Sequence, residues 1–141
     1  MFSKLLVPVD GSENSIRALE AAIFLSKKID AHVTVVHVMQ KPPTVYIHPQ
    51  KELEELLHNY RREAEQILER CEEIGNRNGV ELKKVIINGD VASKILRFAE
   101  KEGLDMIVMG HRGYGRFKEM VLGSVSQKVL NQTKHSVLII R

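Results

Sequence analysis

The sequence predicts a single α/β domain of the doubly wound kind. Five short apolar runs rich in β-branched residues stand out, with helical apolar spacing between them. The length of 141 residues, 43% of them hydrophobic, suits one core and is too short for two ordinary domains.

The runs are Lys4 to Val9, His32 to Val38, Leu82 to Ile87, Leu104 to Met109 and Ser136 to Ile140. Their apolar residues are nearly continuous instead of alternating, as in strands of a parallel sheet covered on both faces. After the first run, Ile16, Leu19, Ile23 and the stretch Ser26 to Ile29 keep a three-to-four spacing, so a helix follows. Gln40 to Gln50, after the second run, carries Pro42, Pro43 and Pro49 and reads as a loop. It is either a solvent-exposed connection or a flap over a ligand, because it leaves the carboxyl end of a strand, where such sheets bind. Tyr46, its one aromatic residue, would cover a base in the second case. Leu53, Leu56, Leu57, Tyr60, Ala64, Ile67, Leu68, Cys71 and Ile74 then predict a long second helix. Asp90 can cap a third helix carrying Ile95, Phe98 and Ala99, and Gly103 stands where it stops. Gly123-Ser124-Val125-Ser126 opens the last helix. Strands and helices alternate throughout, which calls for right-handed crossovers.

Composition narrows the function classes. One cysteine, Cys71, allows no internal disulfide, so nothing calls for an oxidising compartment and a cytoplasmic address is expected. The amino terminus holds only five uncharged residues, Leu5 to Val9, before Asp10, which predicts neither a signal peptide nor a membrane span. The net charge of +3 is spread through charges of both signs, and tryptophan is absent. That pattern argues against a nucleic-acid partner. Six histidines (His32, His37, His48, His58, His111, His135) show no ligand spacing for a metal.

The informative segment is Met109-Gly110-His111-Arg112-Gly113-Tyr114-Gly115-Arg116, directly after the fourth run, followed by Gly123-Ser124-Val125-Ser126. Glycine permits positive φ and admits an anion close to backbone amides, so the loop can wrap phosphates. A helix start at Ser124 would add unpaired N–H groups and a positive dipole end. The alternative is that these glycines simply turn the chain. Two anion-friendly elements at the carboxyl side of one sheet favour phosphate binding. Arg112 and Arg116 would either pair phosphate oxygens or stand in solvent. Val7-Pro8-Val9-Asp10-Gly11-Ser12 supplies the other half. Asp10 either caps the following helix, or accepts a ribose hydroxyl or approaches Mg²⁺.

These residues resemble the universal stress protein family. Gly110-x2-Gly113-x9-Gly123-Ser124 is similar to the G-x2-G-x9-G-[S/T] signature of its ATP-binding branch, and Val7-Pro8-Val9-Asp10 looks like its first strand. The likeness runs along the whole chain through His37-Val38, Asp105 to Gly110 and the closing Ser136 to Ile140. It implies a Rossmann-like sandwich of the adenine nucleotide alpha hydrolase kind, with five parallel strands in the order 3-2-1-4-5. It also implies a homodimer paired through Ser136 to Ile140. ATP would lie with adenine near Val38 and Pro8, ribose near Asp10, and phosphates on Gly110 to Arg116 and Ser124 to Ser126. Val9 and Met109 would flank them. An apolar edge strand at the end of the chain gives a physical reason for pairing, since a bare edge of that kind aggregates.

No G-x4-G-K-[S/T] loop is present, and Gly113-Tyr114-Gly115 does not extend to G-x-G-x-x-G. No general base or nucleophile stands out. The expectation is therefore an ATP-binding, dimeric regulatory or stress-response module with hydrolysis slow or absent. A slow ATPase or nucleotidyl-transfer enzyme, and a structural dimer binding protein partners, are the alternatives.

Overall fold

A computed structural model describes residues 1–40, 50–112 and 122–141. Five strands form one parallel sheet: β1 (Lys4–Pro8), β2 (His32–Met39), β3 (Leu82–Asn88), β4 (Met106–Gly110) and β5 (Ser136–Ile140). Helices α1 (Glu13–Ile29), α2 (Gln50–Arg77), α3 (Val91–Lys101) and α4 (Ser124–Gln132) connect them. The strand order is β3-β2-β1-β4-β5, as the resemblance implied.

Alternate residues of each strand serve opposite layers, because successive side chains in a strand point to opposite faces. Leu5, Val7, Val33, Val35 and Val108 pack with Leu19 and Ile23 of α1 and Leu68, Cys71 and Ile74 of α2. Leu6, Val36, Ile107 and Met109 pack on the other face with Ile95 and Ala99 of α3 and Val129 of α4. Both faces are dry, which is why the strands read as continuous apolar runs. Cys71 is fully buried, and desolvation pushes its thiol up to about 11 against a small opposing pull from Arg70.

Three helix ends follow from local chemistry. Ser12 caps α1, its hydroxyl accepting from the Ser15 amide at 3.2 Å. Asp90 caps α3 as expected, accepting from the Ser93 amide at 3.1 Å and from Lys128 Nζ of α4 at 3.3 Å. Gly103, at φ 63°, turns the chain out of α3 in a conformation that glycine adopts without penalty. The fourth strand begins later than its apolar run, at Met106. Leu104 belongs to the turn instead, its amide donating to the Ala99 carbonyl that ends the helix.

The two sheet edges differ. β3 exposes Lys83 and Lys84, and Lys84 pairs with Glu72 of α2. Lysines on an edge discourage a second chain from pairing there. β5 offers half-buried Val137, Leu138, Ile139 and Ile140 and no charge until Arg141.

The amino terminus is tied to the start of β4 by Asp105. Its Oδ2 accepts from the Ser3 amide at 2.9 Å, the Lys4 amide at 2.9 Å and the Ser3 hydroxyl at 3.0 Å. The Ser3 amide, then the Lys4 amide and the Ser3 hydroxyl, hold this carboxyl below its ordinary value of 3.8. A depressed folded value means the contribution is present above the unfolded pKa and is lost as pH falls through the folded one. Asp105→Asn is therefore expected to lower the urea midpoint at neutral pH. It should also flatten the loss of stability between about pH 5 and pH 2. Parallel urea titrations across that range check both, and an unchanged acid limb would show that Asp105 adds nothing.

Candidate functional site

The site begins where the central strands part. β1 pairs with β2 from Lys4–His32 to Pro8–Val36, whereas its ladder with β4 ends at Leu6–Ile107. Beyond that point α1 starts on one side of the crevice and α4 on the other. In open α/β sheets such a reversal of strand order is where ligands bind.

After β1, the Asp10 carboxylate folds back on its own backbone. Oδ1 accepts from the Ser12 amide at 2.9 Å around Gly11, whose φ of 86° favours glycine. Capping of α1 falls to Ser12 and not to Asp10. The Ser15 hydroxyl donates to the Ser12 carbonyl at 2.8 Å and accepts from the Asp10 amide at 3.4 Å, fixing the turn from below. At the end of β2, His37 Nδ1 lies 2.8 Å from the Val9 carbonyl oxygen. A carbonyl only accepts, so Nδ1 carries the proton, and in the neutral ring Nε2 is left as an acceptor.

Gly110 ends β4 directly beneath the first turn of α1. A Cβ there would stand 2.8 Å from the Asn14 carbonyl oxygen and 2.9 Å from its carbon. Gly123, at φ −71°, has no side-chain cap to offer α4, and a Cβ on it would come within 3.0 Å of the Arg112 Cα. Close packing thus requires glycine at 110 and leaves little room for a Cβ at 123, and neither residue has the positive φ that glycine permits. The Gly123 amide donates to the His111 carbonyl at 2.6 Å, and the His111 amide to the Ile140 carbonyl at 2.9 Å. The Ser126 hydroxyl, 3% exposed, donates to the Gly110 carbonyl at 2.8 Å. That hydroxyl is committed to the scaffold, so Ser126 has its backbone to offer. The first intrahelical bond of α4 runs from the Gln127 amide to the Gly123 carbonyl, which leaves the amides of Ser124, Val125 and Ser126 in the uncapped first turn.

Together these elements enclose a cavity of about 520 Å³, within the range of small-molecule sites. Pro8, Val9, Asp10, Val38, Met109, Gly110, Arg112, Gly123, Ser124, Val125 and Ser126 all line it, each anticipated from sequence. His111, also anticipated, does not line it; its Nδ1 is buried without a hydrogen-bond partner among the described residues. Gly113, Tyr114, Gly115 and Arg116, and Tyr46 in the loop after β2, lie outside the described residues.

Sequence reasoning missed Tyr60 and Glu63 of α2, Val91 and Ile95 of α3, and His37 at the end of β2. Tyr60 and Ile95 had been read as core-facing positions, and nothing in a helical pattern tells a core face from a cavity wall. The nearest signal was position: His37 ends a strand, and Val91 opens a helix, on the carboxyl side of the sheet. The wall is chemically mixed. It carries Asp10 and Glu63, which also share an adjoining cleft, the uncapped start of α4 beside Arg112, and aliphatic side chains such as Val38 and Ile95.

Fold and site together define a doubly wound α/β domain with a crevice of small-molecule size at its switch point. The family model described as the universal stress protein family matches residues 1–141, and the chain belongs to that family. It is 37% identical to the universal stress protein YxiE of Bacillus subtilis, with all of both chains covered. Its structure is similar to that of MJ0577, a protein of Methanocaldococcus jannaschii, with a TM-score of 0.86 and 28% identity over 99% of this chain and 96% of the other. A universal stress protein of Archaeoglobus fulgidus, solved in complex with dAMP, shares the fold at a TM-score of 0.72 and 21% identity, with 100% of both chains covered.

The Gly110 packing yields a direct test. Gly110→Ala would press a Cβ against backbone atoms of Asn14 that have no side-chain freedom to yield. It is expected to destabilise the domain by about 1–3 kcal/mol, as overpacking does. Urea unfolding of the variant checks it, and an unchanged midpoint would mean that α1 moves aside at no cost.

Proposed function

We propose that this chain is an ATP-binding regulatory module of the cytoplasm. The observation that carries the reading is the mixed lining of one cavity: carboxylates, aliphatic side chains and an uncapped helix start supply the chemistry that the three parts of an adenine nucleotide need. Adenine would pack between Pro8, which ends β1 opposite Val36, and Val38, two residues further along β2. Ribose hydroxyls would donate to Asp10, whose Oδ2 has no partner among the described residues. Phosphates would take the first-turn amides of α4, where donor groups and the positive dipole end favour an anion. Arg112 lines the same cavity and extends that cationic region. The dAMP complex of the Archaeoglobus protein supports the reading, since there a protein of this fold holds an adenine nucleotide.

Mg²⁺ would enter on the phosphate oxygens. Among the described residues no three acidic, histidine or cysteine side chains converge to hold a metal themselves. No described helix is long and apolar enough to cross a membrane. Pairing of two copies through β5 belongs to the same proposal. Its half-buried apolar residues and lack of edge charges suit a partner strand, as the lysines of β3 do not. Ligand contacts that order the crevice would then act as a switch, provided the two conformations bind ATP differently.

The test is calorimetric titration of nucleotide-stripped protein with ATP and Mg²⁺, with adenosine in parallel. Ser124→Pro removes one first-turn amide at a helix position where proline is tolerated. ATP affinity is expected to fall about tenfold or more, as for loss of a hydrogen bond to a charged group, while adenosine affinity holds. Absence of saturable ATP binding by the native chain at millimolar concentration overturns the proposal. An equal loss for adenosine removes the phosphate role assigned to α4.

A further inference from the structure

The cavity wall contributed by α2 has a consequence for which nucleotides enter. We propose that Glu63 is a specificity-determining residue that, together with Asp10, selects nucleotides with both ribose hydroxyls over their deoxy counterparts. The inference rests on the nucleotide reading above.

Glu63 and Asp10 line two spaces at once: the main cavity, and an adjoining cleft of about 220 Å³ between the start of α1 and α2. They therefore flank the junction between the two. Ionised carboxylates only accept hydrogen bonds, so whatever occupies that junction must donate. Hydroxyls meet the requirement, and phosphate oxygens are repelled. With the uncapped start of α4 attracting anions elsewhere in the cavity, a ligand carrying an anion and a pair of hydroxyls has one favourable orientation.

Asp10 is already engaged in part, its Oδ1 accepting from the Ser12 amide at 2.9 Å, while Oδ2 has no partner among the described residues. Glu63 makes no hydrogen bond or ion pair among the described residues, so a second carboxylate at the junction gives each of two neighbouring hydroxyls its own acceptor. Two other acidic residues of α2 are engaged elsewhere: Glu65 lies 3.5 Å from Arg61, and Glu72 pairs with Lys84. Arg70, the guanidinium in the adjoining cleft, is held by Glu13 of α1 at 3.2 Å, so its charge is already offset. The carboxylates keep their acceptor character at the junction.

The experiment is competitive titration of the full chain with ATP, 2′-deoxy-ATP and 3′-deoxy-ATP, repeated on Glu63→Ala, which removes the acceptor at an exposed helix position. The native chain should bind ATP about tenfold more tightly than at least one deoxy analogue. In Glu63→Ala that ratio should fall toward one, with ATP weakened and the same analogue unchanged. The ratio matters because a merely structural role would weaken ATP and analogue alike. Equal affinities in the native chain, an unaltered ratio in the variant, or parallel losses overturn the inference. So does a changed Mg²⁺ requirement with an unaltered ratio, which would assign the carboxylates to a cation. These failures leave ATP binding intact, whereas failure of the nucleotide reading itself would show as no binding of ATP or adenosine by the native chain.

Discussion

β1 and β4 stay hydrogen-bonded for only two residue pairs, and the molecule is organised around what fills the space beyond. The first turn of α1 reaches across the end of β4, close enough that Gly110 must lack a side chain. The Ser126 hydroxyl then ties the start of α4 to the same Gly110 carbonyl. One residue position thus fixes two helix starts relative to the sheet. Because both helices begin there, their amides and the Asp10 turn face one crevice. A parallel sheet of this order needs no special loops to create a site, only strands that part at the reversal.

The crevice is assembled by backbone more than by side chains. The Val9 amide donates to the Val36 carbonyl, the His111 amide to the Ile140 carbonyl, and the Gly123 amide to the His111 carbonyl. Such contacts tolerate sequence change, which suits a family whose members keep the fold at identities as low as 21%. The side chains projecting inward from α2 and α3 are under no such constraint. A scaffold of this kind can hold its geometry while the chemistry of its wall varies.

How far the fold could be read from sequence depended on burial. Strands covered on both faces gave apolar runs, and four of the five began where the structure begins them. The fourth failed at its start because Leu104 is buried for another reason, closing the turn after α3. The strand order came through the family resemblance, since periodicity carries no information on which strands are neighbours. In the site, glycines and serines near strand ends were legible because few roles suit them. Their purpose was only partly so: sequence suggests positive φ or the close approach of an anion at Gly110, whereas the room it leaves is taken by the first turn of α1. Tyr60 and Glu63 were illegible, because a helix lining a cavity and a helix lining a core show the same spacing.

The buried Cys71 bears on the conditions under which such a module can work. Desolvation pushes its thiol up to about 11, so the thiolate is disfavoured at neutral pH. Oxidants attack the thiolate, and it lies in the core between α2 and the sheet, away from solvent. Peroxide or disulfide stress would thus pass over this residue. With no second cysteine among these 141 residues, it also has no partner within them for a disulfide.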